Sequence, residues 1–382
     1  MKKILIPFLN AIDPTSGGVE RVYHNLVPSL IRMGYEVYAT YHVKSQYDKY
    51  SVYTECFYLG EKSRNFEEVK KDWLHIINQK NIDIVICPFV NSLHYDFFSR
   101  QKHLQVFFHI HNVPSIYCYP SYSKLPKCFK DTLVDSFLKW LRFTIFFKKS
   151  FNRINKSGMK VILLSERFRK DLKSFCTIDD VNIKAIPNPL VIDRDFDLKN
   201  VRKTKTILYV GRITTQQKRF QSLLNIWEKL QNLLPEYNLD VVGGGPEKEF
   251  YENKAKEMHL KRVTFHGFQS PENFYKKAQS LCMVSNYEGF GMVLVEAMQY
   301  GCVPFAFDSF TALSDIIDDG VDGFKVKPFD ETLYAQKVAA FANMTNDAKE
   351  KIYNACRAKV NHFSVDHIAE IWSNLFINYS DR

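Results

Sequence analysis

Short apolar runs alternate with longer amphipathic stretches along the whole 382-residue chain, and this alternation restricts the fold more than any other feature. Runs rich in Val, Ile, Leu and Phe predict strands over 4–8, 36–41, 83–87, 104–110, 160–164 and 183–186 in the first half. The same pattern predicts strands over 206–210, 239–242, 263–265, 281–284 and 303–306 in the second half. Strands separated by helix-length segments form βαβ units, whose crossovers cover the faces of a parallel sheet. Two such series fit better than one continuous sheet. The break falls at Pro187-Asn188-Pro189 and the polar run Asp193-Arg194-Asp195-Phe196-Asp197, because two prolines cannot continue a helix or a central strand. The expected architecture is therefore α/β, with one domain over 1–188 and a second over 204–363. A capped amphipathic helix over 364–382 is expected to pack back towards the first domain.

Charge is distributed unevenly. Of the net charge of +10, residues 1–190 carry 28 basic against 17 acidic side chains, and residues 191–382 carry 24 against 25. Within the first half, residues 124–173 hold 14 basic and 4 acidic side chains, so one segment accounts for nearly all the excess. An anionic partner is expected there. Leu133, Phe137, Trp140, Leu141, Thr144, Phe147 and Phe151 recur at helical spacing, with Lys130, Lys139, Arg142, Lys148, Lys149, Arg153 and Lys156 interspersed. A basic amphipathic helix of that kind lies in the headgroup region of an anionic membrane surface. The same pattern also suits an ordinary helix whose aromatic face packs on a sheet. No recognised RNA- or DNA-binding motif accompanies the charge, so nucleic acid is not an expected partner.

The eight cysteines show no CxxC or Cys/His ligand spacing, which points to a reducing compartment and no metal cluster. The opening MKKILIPFLN lacks the long apolar region and cleavage site of a signal peptide, and no run approaches 18 apolar residues. A cytoplasmic protein, peripheral at the inner face of the membrane, is expected.

The most informative window is Ser285 to Met298, SNYEGFGMVLVEAM, where a strand runs through a loop with Gly289 and Gly291 into a helix starting near Met292. Glycines at such a turn let a ligand approach the backbone, and the helix N-terminus favours an anion such as diphosphate. Glu288 in the loop and Glu296 one turn into the helix would suit sugar or ribose hydroxyls. The same residues also suit an ordinary turn followed by a helix with a favourable acid. Gly211-Arg212 ends a strand, with Lys218 and Arg219 following, and both cation types suit phosphate oxygens; a solvated basic loop would read the same way. Gly243-Gly244-Gly245 reads as a plain βα turn, and Gly17-Gly18 after the first strand is weak alone. His109 and His111, at the end of the strand over 104–110, read as alternating residues pointing to opposite faces, in core or capping roles unless a ligand is met there. Asp193-x-Asp195-x-Asp197 offers a DxD, but its place between the two series reads as a solvated turn.

Taken in order, these elements resemble the retaining glycosyltransferases of family 4, which have the GT-B fold: two Rossmann-like domains with parallel sheets facing across a cleft. The resemblance is strongest over 205–330 and rests on Glu288 to Glu296 (E-x7-E), Gly211 to Lys218, Gly17-Gly18-Val19-Glu20-Arg21, His111-Asn112, and Ile186 to Pro189. It implies a hexosyltransferase using a UDP-sugar donor. Arg212 and Lys218 would neutralise the donor diphosphate, the leaving group. Glu288, aided by the backbone of Gly289, Phe290, Gly291, Met292 and Val293, would bind the donor sugar, and Glu296 the ribose. His111, or His109 in its place, would contact the sugar. Gly17 and Gly18 would face phosphates or acceptor, and His266, Gly267 and Phe268 the base. It also implies no metal requirement, front-side attack without a covalent nucleophile, and a lipid-linked saccharide acceptor in building capsule, O-antigen or other surface polysaccharide. A nucleotide-binding module without transfer activity, and an epimerase on the same double fold, are the competing readings.

Overall fold

The computed structural model describes residues 2–46, 51–61, 65–88, 92–114, 145 and 148–379. It forms two compact units: residues 1–189 together with 365–382, and residues 190–364.

The first unit holds a seven-stranded parallel sheet. Its strands are β1 (Lys3–Pro7), β2 (Glu36–Tyr41), β3 (Glu55–Tyr58), β4 (Ile84–Cys87), β5 (Gln105–Ile110), β6 (Lys160–Leu163) and β7 (Ile183–Ala185). Their order is β3-β2-β1-β4-β5-β6-β7, so the direction of winding reverses between β1 and β4. Helices α1 (Gly18–Arg32), α2 (Phe66–Lys80), α3 (Ser92–Phe98), α4 (148–157) and α5 (Phe168–Phe175) belong to its crossovers. Every residue of β4 and β6 is buried, as expected for parallel strands covered on both faces.

The second unit has six parallel strands, β8 (Thr204–Val210), β9 (Asn238–Val242), β10 (Val263–Gly267), β11 (Ala278–Met283), β12 (Val303–Phe307) and β13 (Phe324–Val326), in the order β10-β9-β8-β11-β12-β13. Its helices are α6 (Phe220–Leu233), α7 (Lys248–Glu257), α8 (Glu272–Lys277), α9 (Met292–Gln299), α10 (Leu313–Ile316), α11 (Glu331–Ala342) and α12 (Asn346–Lys359). Helix α13 (Val365–Asn378) then rejoins the first unit. There Trp372 and Phe376 pack edge-on against Phe107 of β5, with ring centroids 5.9 and 5.4 Å away, and Asp366 accepts hydrogen bonds from Ser29 and Arg32 of α1.

All eleven strands predicted from apolar runs form. β3 and β13 were not predicted: β3 is an edge strand of ECFY with exposed ends, and β13 is the three-residue edge strand FKV, interrupted by a lysine. One expectation about the basic segment is corrected. Phe151 does not belong to a lipid-facing stripe; it is buried in α4, with its ring 6.3 Å from those of Tyr95 and Phe175. Lys148, Lys149, Arg153 and Lys156 lie on the exposed side of that helix. The remainder of the expected amphipathic stretch, 124–144 with 146–147, lies outside the described residues. No helix among the described residues is long and apolar enough to cross a membrane.

Candidate functional site

In an open parallel sheet, ligands bind beyond the carboxyl ends of the strands where the order reverses. In the second unit that point lies between β8 and β11, paired neighbours with Leu208 opposite Leu281. The loop after β8 carries Arg212, Lys218 and Arg219, and the loop after β11 carries Glu288. The loops are tied together: the Asn286 N–H donates to the Gln217 carbonyl at 2.8 Å, and Arg219 donates to the Asn286 side chain at 3.3 Å. Lys218 Nζ consequently meets Glu288 Oε1 at 2.6 Å, with side-chain exposures of only 14% and 10%. Arg212 is exposed beside them and donates to Gln217 at 3.3 Å. Arg219 adopts a left-handed conformation at the start of α6, lays its guanidinium over Phe329 at 4.2 Å, and leaves its Nε buried without a partner.

Beyond Glu288, Gly289 is half-buried, and the chain is pinned by Phe290, whose buried ring packs edge-on against Phe363 at 5.6 Å. Gly291 has φ +92 and lies under Phe310 and Leu294, 3.3 and 3.4 Å from where a Cβ would stand. This left-handed turn starts α9, so the backbone N–H groups of Met292 and Val293 are at its N-terminus, the end that favours an anion. One turn on, Glu296 accepts from the Tyr275 hydroxyl at 3.1 Å.

The three strands on the other side of the switch point end in glycines, and of these only Gly243-Gly244-Gly245 reads from the sequence as a plain turn. A Cβ on Gly243 would stand 1.9 Å from the Gly211 carbonyl oxygen, and one on Gly245 would stand 2.6 Å from that of Ile213. The turns are therefore packed backbone to backbone: Gly211 N–H donates to Val242, Ile213 N–H to Gly244, and Gly243 N–H to Gly267. Three consecutive strand ends thus form a carboxyl edge without side chains. Phe268 stands over it, 89% exposed, with its Cβ 3.7 Å from where a Cβ on Gly244 would lie. His266 points elsewhere, to Asp240 at 2.9 Å and the ring of Phe274.

In the first unit, Gly17 is the extended residue before α1, and Gly18 is its first residue with open space around it. The buried Glu20 carboxylate lies over Gly17, 2.4 Å from where a Cβ would stand, so a side chain there would have to displace it. The histidines at the end of β5 do not point to opposite faces. Strand periodicity is two, so positions 109 and 111 share a face, and their rings lie 4.0 Å apart. His109 Nδ1 is 2.9 Å from the Tyr23 hydroxyl, its ring 5.4 Å from Trp372. His111, just past the strand, is buried beside Asn188, and His109 Nε2 is likewise buried without a partner. Burial lowers the pKa of both, His111 to about 3, so each ring is neutral at pH 7.

Asp193 pairs with Lys276 at 3.2 Å and accepts from the Asp195 N–H, and Asp197 caps a short 3₁₀ turn, while Asp195 is exposed. No group of three or more His, Cys, Asp or Glu side chains placed to hold a metal occurs among the described residues.

Residues 192–358 match the family model of glycosyl transferases group 1, and residues 16–194 match that of Glycosyltransferase Family 4. The chain belongs to this glycosyltransferase family. Family relatives include an alpha-1,4-N-acetyl-D-galactosaminyltransferase of Campylobacter jejuni that acts on a diphospho-undecaprenol-linked saccharide. It is 28% identical over 50% of this chain and 54% of the relative. The amylovoran biosynthesis glycosyltransferase AmsD of Erwinia amylovora is 34% identical over 44% of this chain and 48% of AmsD. The chain thus spans about half the length of the curated relatives it matches. The crystal structure of Anabaena HepE in complex with UDP and glucose superposes with a TM-score of 0.73, covering 99% of this chain and all of HepE at 14% identity. The shared fold is GT-B, with a Rossmann-like parallel sheet in each half.

Proposed function

We propose that this glycosyltransferase moves a hexose or N-acetylhexosamine from a UDP-sugar to a lipid-linked saccharide acceptor, with retention of anomeric configuration, in the synthesis of a bacterial surface polysaccharide. The observation that carries the reading is the Lys218–Glu288 pair, with Arg212 beside it, at the switch point of the second sheet. A carboxylate held within reach of two cations suits a donor that presents sugar hydroxyls next to a diphosphate. The UDP bound by HepE and the undecaprenyl diphosphate named for the Campylobacter relative support the donor and acceptor classes.

In the proposed reaction the bond between the anomeric carbon and the diphosphate oxygen breaks, and UDP leaves with the electron pair. Arg212 and Lys218 hold that developing charge, so no metal ion is required; positive groups fixed in place before the reaction stabilise it most. Glu288 and the backbone of Gly289 to Val293 orient the sugar, Glu296 takes the ribose, and Phe268 the base. The acceptor hydroxyl attacks from the face the leaving group vacates and passes its proton to the departing phosphate. Neutral His111 suits a sugar contact, and Gly17 and Gly18 at the start of α1 suit a phosphate or the acceptor. The exposed Lys148, Lys149, Arg153 and Lys156 hold the enzyme at an anionic cytoplasmic membrane surface.

The test is UDP release from a panel of UDP-, GDP- and ADP-sugars in EDTA, with a polyprenyl-diphosphate-linked acceptor and the product anomer read by NMR. Release of UDP with a retained anomer supports the reading. Nucleotide binding with no turnover on any donor would make the chain a binding module, and strict dependence on Mn²⁺ would return attention to Asp193, Asp195 and Asp197.

A further inference from the structure

The opposite edge of the first sheet has a groove that the transfer chemistry leaves unexplained. It encloses about 910 Å³, within the usual range for small-molecule sites, and is formed where the chain enters β5, β6 and β7, flanked by the end of α13. β5 runs six residues from this edge towards His111, so the groove lies about 20 Å from the carboxyl edge at the usual rise per residue. It is not a part of the site described above.

Its lining is strongly basic. Arg100, Lys102, Arg153, Lys156, Lys160 and Lys184 face one carboxylate, Asp96. Asp96 is engaged by Arg153 and, at 3.4 Å, by Arg100, an arrangement that orients both guanidinium groups at the groove. Lys160 is buried, and its ammonium donates to the Val181 carbonyl at 3.0 Å and to Asn182 at 3.3 Å, 5.5 Å from the Tyr379 ring. Lys102, Lys156 and Lys184 are exposed and have no acidic partner among the described residues. Helices α3, α4 and α13 end at this edge, and cations at helix C-termini are ordinary complements to the dipole. Each such terminus carries about half a negative charge, however. Among the described residues, three termini and one carboxylate stand against six positive charges, and Lys102, Lys156 and Lys184 keep the surplus. Leu104, Met159 and Leu375 add apolar surface beside them.

We propose that this groove is a second, non-catalytic anion site that takes a phosphate-bearing ligand. Arginine forks and lysine point charges together suit phosphate oxygens, and the apolar flank suits an organic group attached to them. The phosphate belongs either to a lipid headgroup at a membrane surface or to a soluble anion. The inference is independent of the transfer reaction, because binding here is measured without donor or acceptor.

The experiment compares the full-length protein with the triple variant Lys102→Glu, Lys156→Glu, Lys184→Glu. All three side chains are exposed, so the fold is retained, which circular dichroism checks. Pyrophosphate binding is followed by calorimetry, and co-sedimentation is measured with phosphatidylglycerol and with phosphatidylcholine vesicles, each in low and high salt. The triple variant leaves the second unit untouched, so the difference between proteins isolates the groove from any diphosphate bound beside Arg212. Lys156 also belongs to the exposed cations of α4, so the double variant Lys102→Glu, Lys184→Glu is measured beside it; that variant leaves all of α4 intact, and a loss it shares with the triple variant belongs to the groove and not to a general attraction of α4 to membranes. The expected result is a loss of at least tenfold in affinity for one probe, with the wild-type binding weakened by salt. Loss confined to phosphatidylglycerol vesicles assigns the ligand to a headgroup, and loss of pyrophosphate binding assigns it to a soluble phosphate. Equal binding by both proteins, or no binding of either probe by the wild type, overturns the proposal.

Discussion

Replacing Glu288 by Gln should tighten UDP binding while nearly abolishing turnover. In the ligand-free protein Lys218 Nζ is already engaged by Glu288 Oε1 at 2.6 Å, in a pocket where neither side chain is more than 14% exposed. A diphosphate that recruits Lys218 has to compete with a charge-assisted hydrogen bond worth about 1.5–3 kcal/mol. It also approaches a fixed negative charge. Gln keeps the shape but removes both the competing charge and the repulsion, so the two effects have the same sign. Gaining even the lower bound of that range strengthens UDP binding about tenfold. Turnover is expected to fall about 10²-fold or more, since a positioned polar group at the reacting sugar is lost. The variant should also be less stable without ligand, by about 1–3 kcal/mol, because Lys218 is left without its counter-charge. That is less than the cost of breaking a fully buried pair, since water reaches both groups. Calorimetric titration with UDP and a UDP-release assay read the two halves of the prediction. In a Lys218→Met background the same Glu288→Gln change should move UDP affinity much less, giving a coupling energy of about 1 kcal/mol or more. Unchanged or weaker UDP binding by a folded Glu288→Gln protein would refute the idea that the pair gates the diphosphate site.

Arg212→Ala should weaken UDP and UDP-sugar alike by about one to two decades, measured by calorimetry, because a charge-assisted contact to the leaving group is lost. Gly243→Ala cannot place its Cβ 1.9 Å from the Gly211 oxygen, so it should lower Tm and weaken UDP binding together. Gly18→Ala, which meets nothing within 4 Å, should leave Tm nearly unchanged. His94, His109 and His111 are buried with pKa values lowered by desolvation, His94 and His111 to about 3. Below the unfolded value of 6.5 the unfolded chain binds protons that the native state refuses. Stability is therefore complete above about pH 6.5 and falls towards pH 3, by up to about 1.4 kcal/mol per pH unit for each histidine. Urea unfolding at pH 7 and pH 5 checks this, and a His94→Gln variant should show a shallower fall.

Strands long enough to carry an apolar run were legible, because parallel strands buried on both faces have little choice of composition. β3 and β13 were not, and shortness at a sheet edge does not by itself account for it, because β7 is as short, lies at an edge, and was read. The loop from Ser285 to Met292 and the cations after Gly211 could be found singly from their residue types. Their meeting could not, because the Lys218–Glu288 contact joins positions 70 residues apart and exists only once β8 and β11 are neighbours. The glycine turn from Gly243 reads as an ordinary one for the same reason: what excludes a side chain at Gly243 and Gly245 is the backbone of a different strand's turn. The histidines went wrong for a simpler reason, a neglected period of two.

Because α13 supplies Trp372 and Phe376 to the first unit, that unit is encoded in two pieces, with the whole of the second unit between them. On a ribosome the β-strands of the first unit emerge first but cannot complete their core until α13 follows. The second unit, contiguous from residue 190 to residue 364, has all its strands available earlier. The half made first is thus finished last, and the Lys2 ammonium, which donates to the Phe376 carbonyl at 2.8 Å, waits for a partner 374 residues downstream. A nascent chain stalled before residue 365 would present Phe107 and its neighbours without their cover, which makes the interval before α13 emerges the one in which a chaperone matters most.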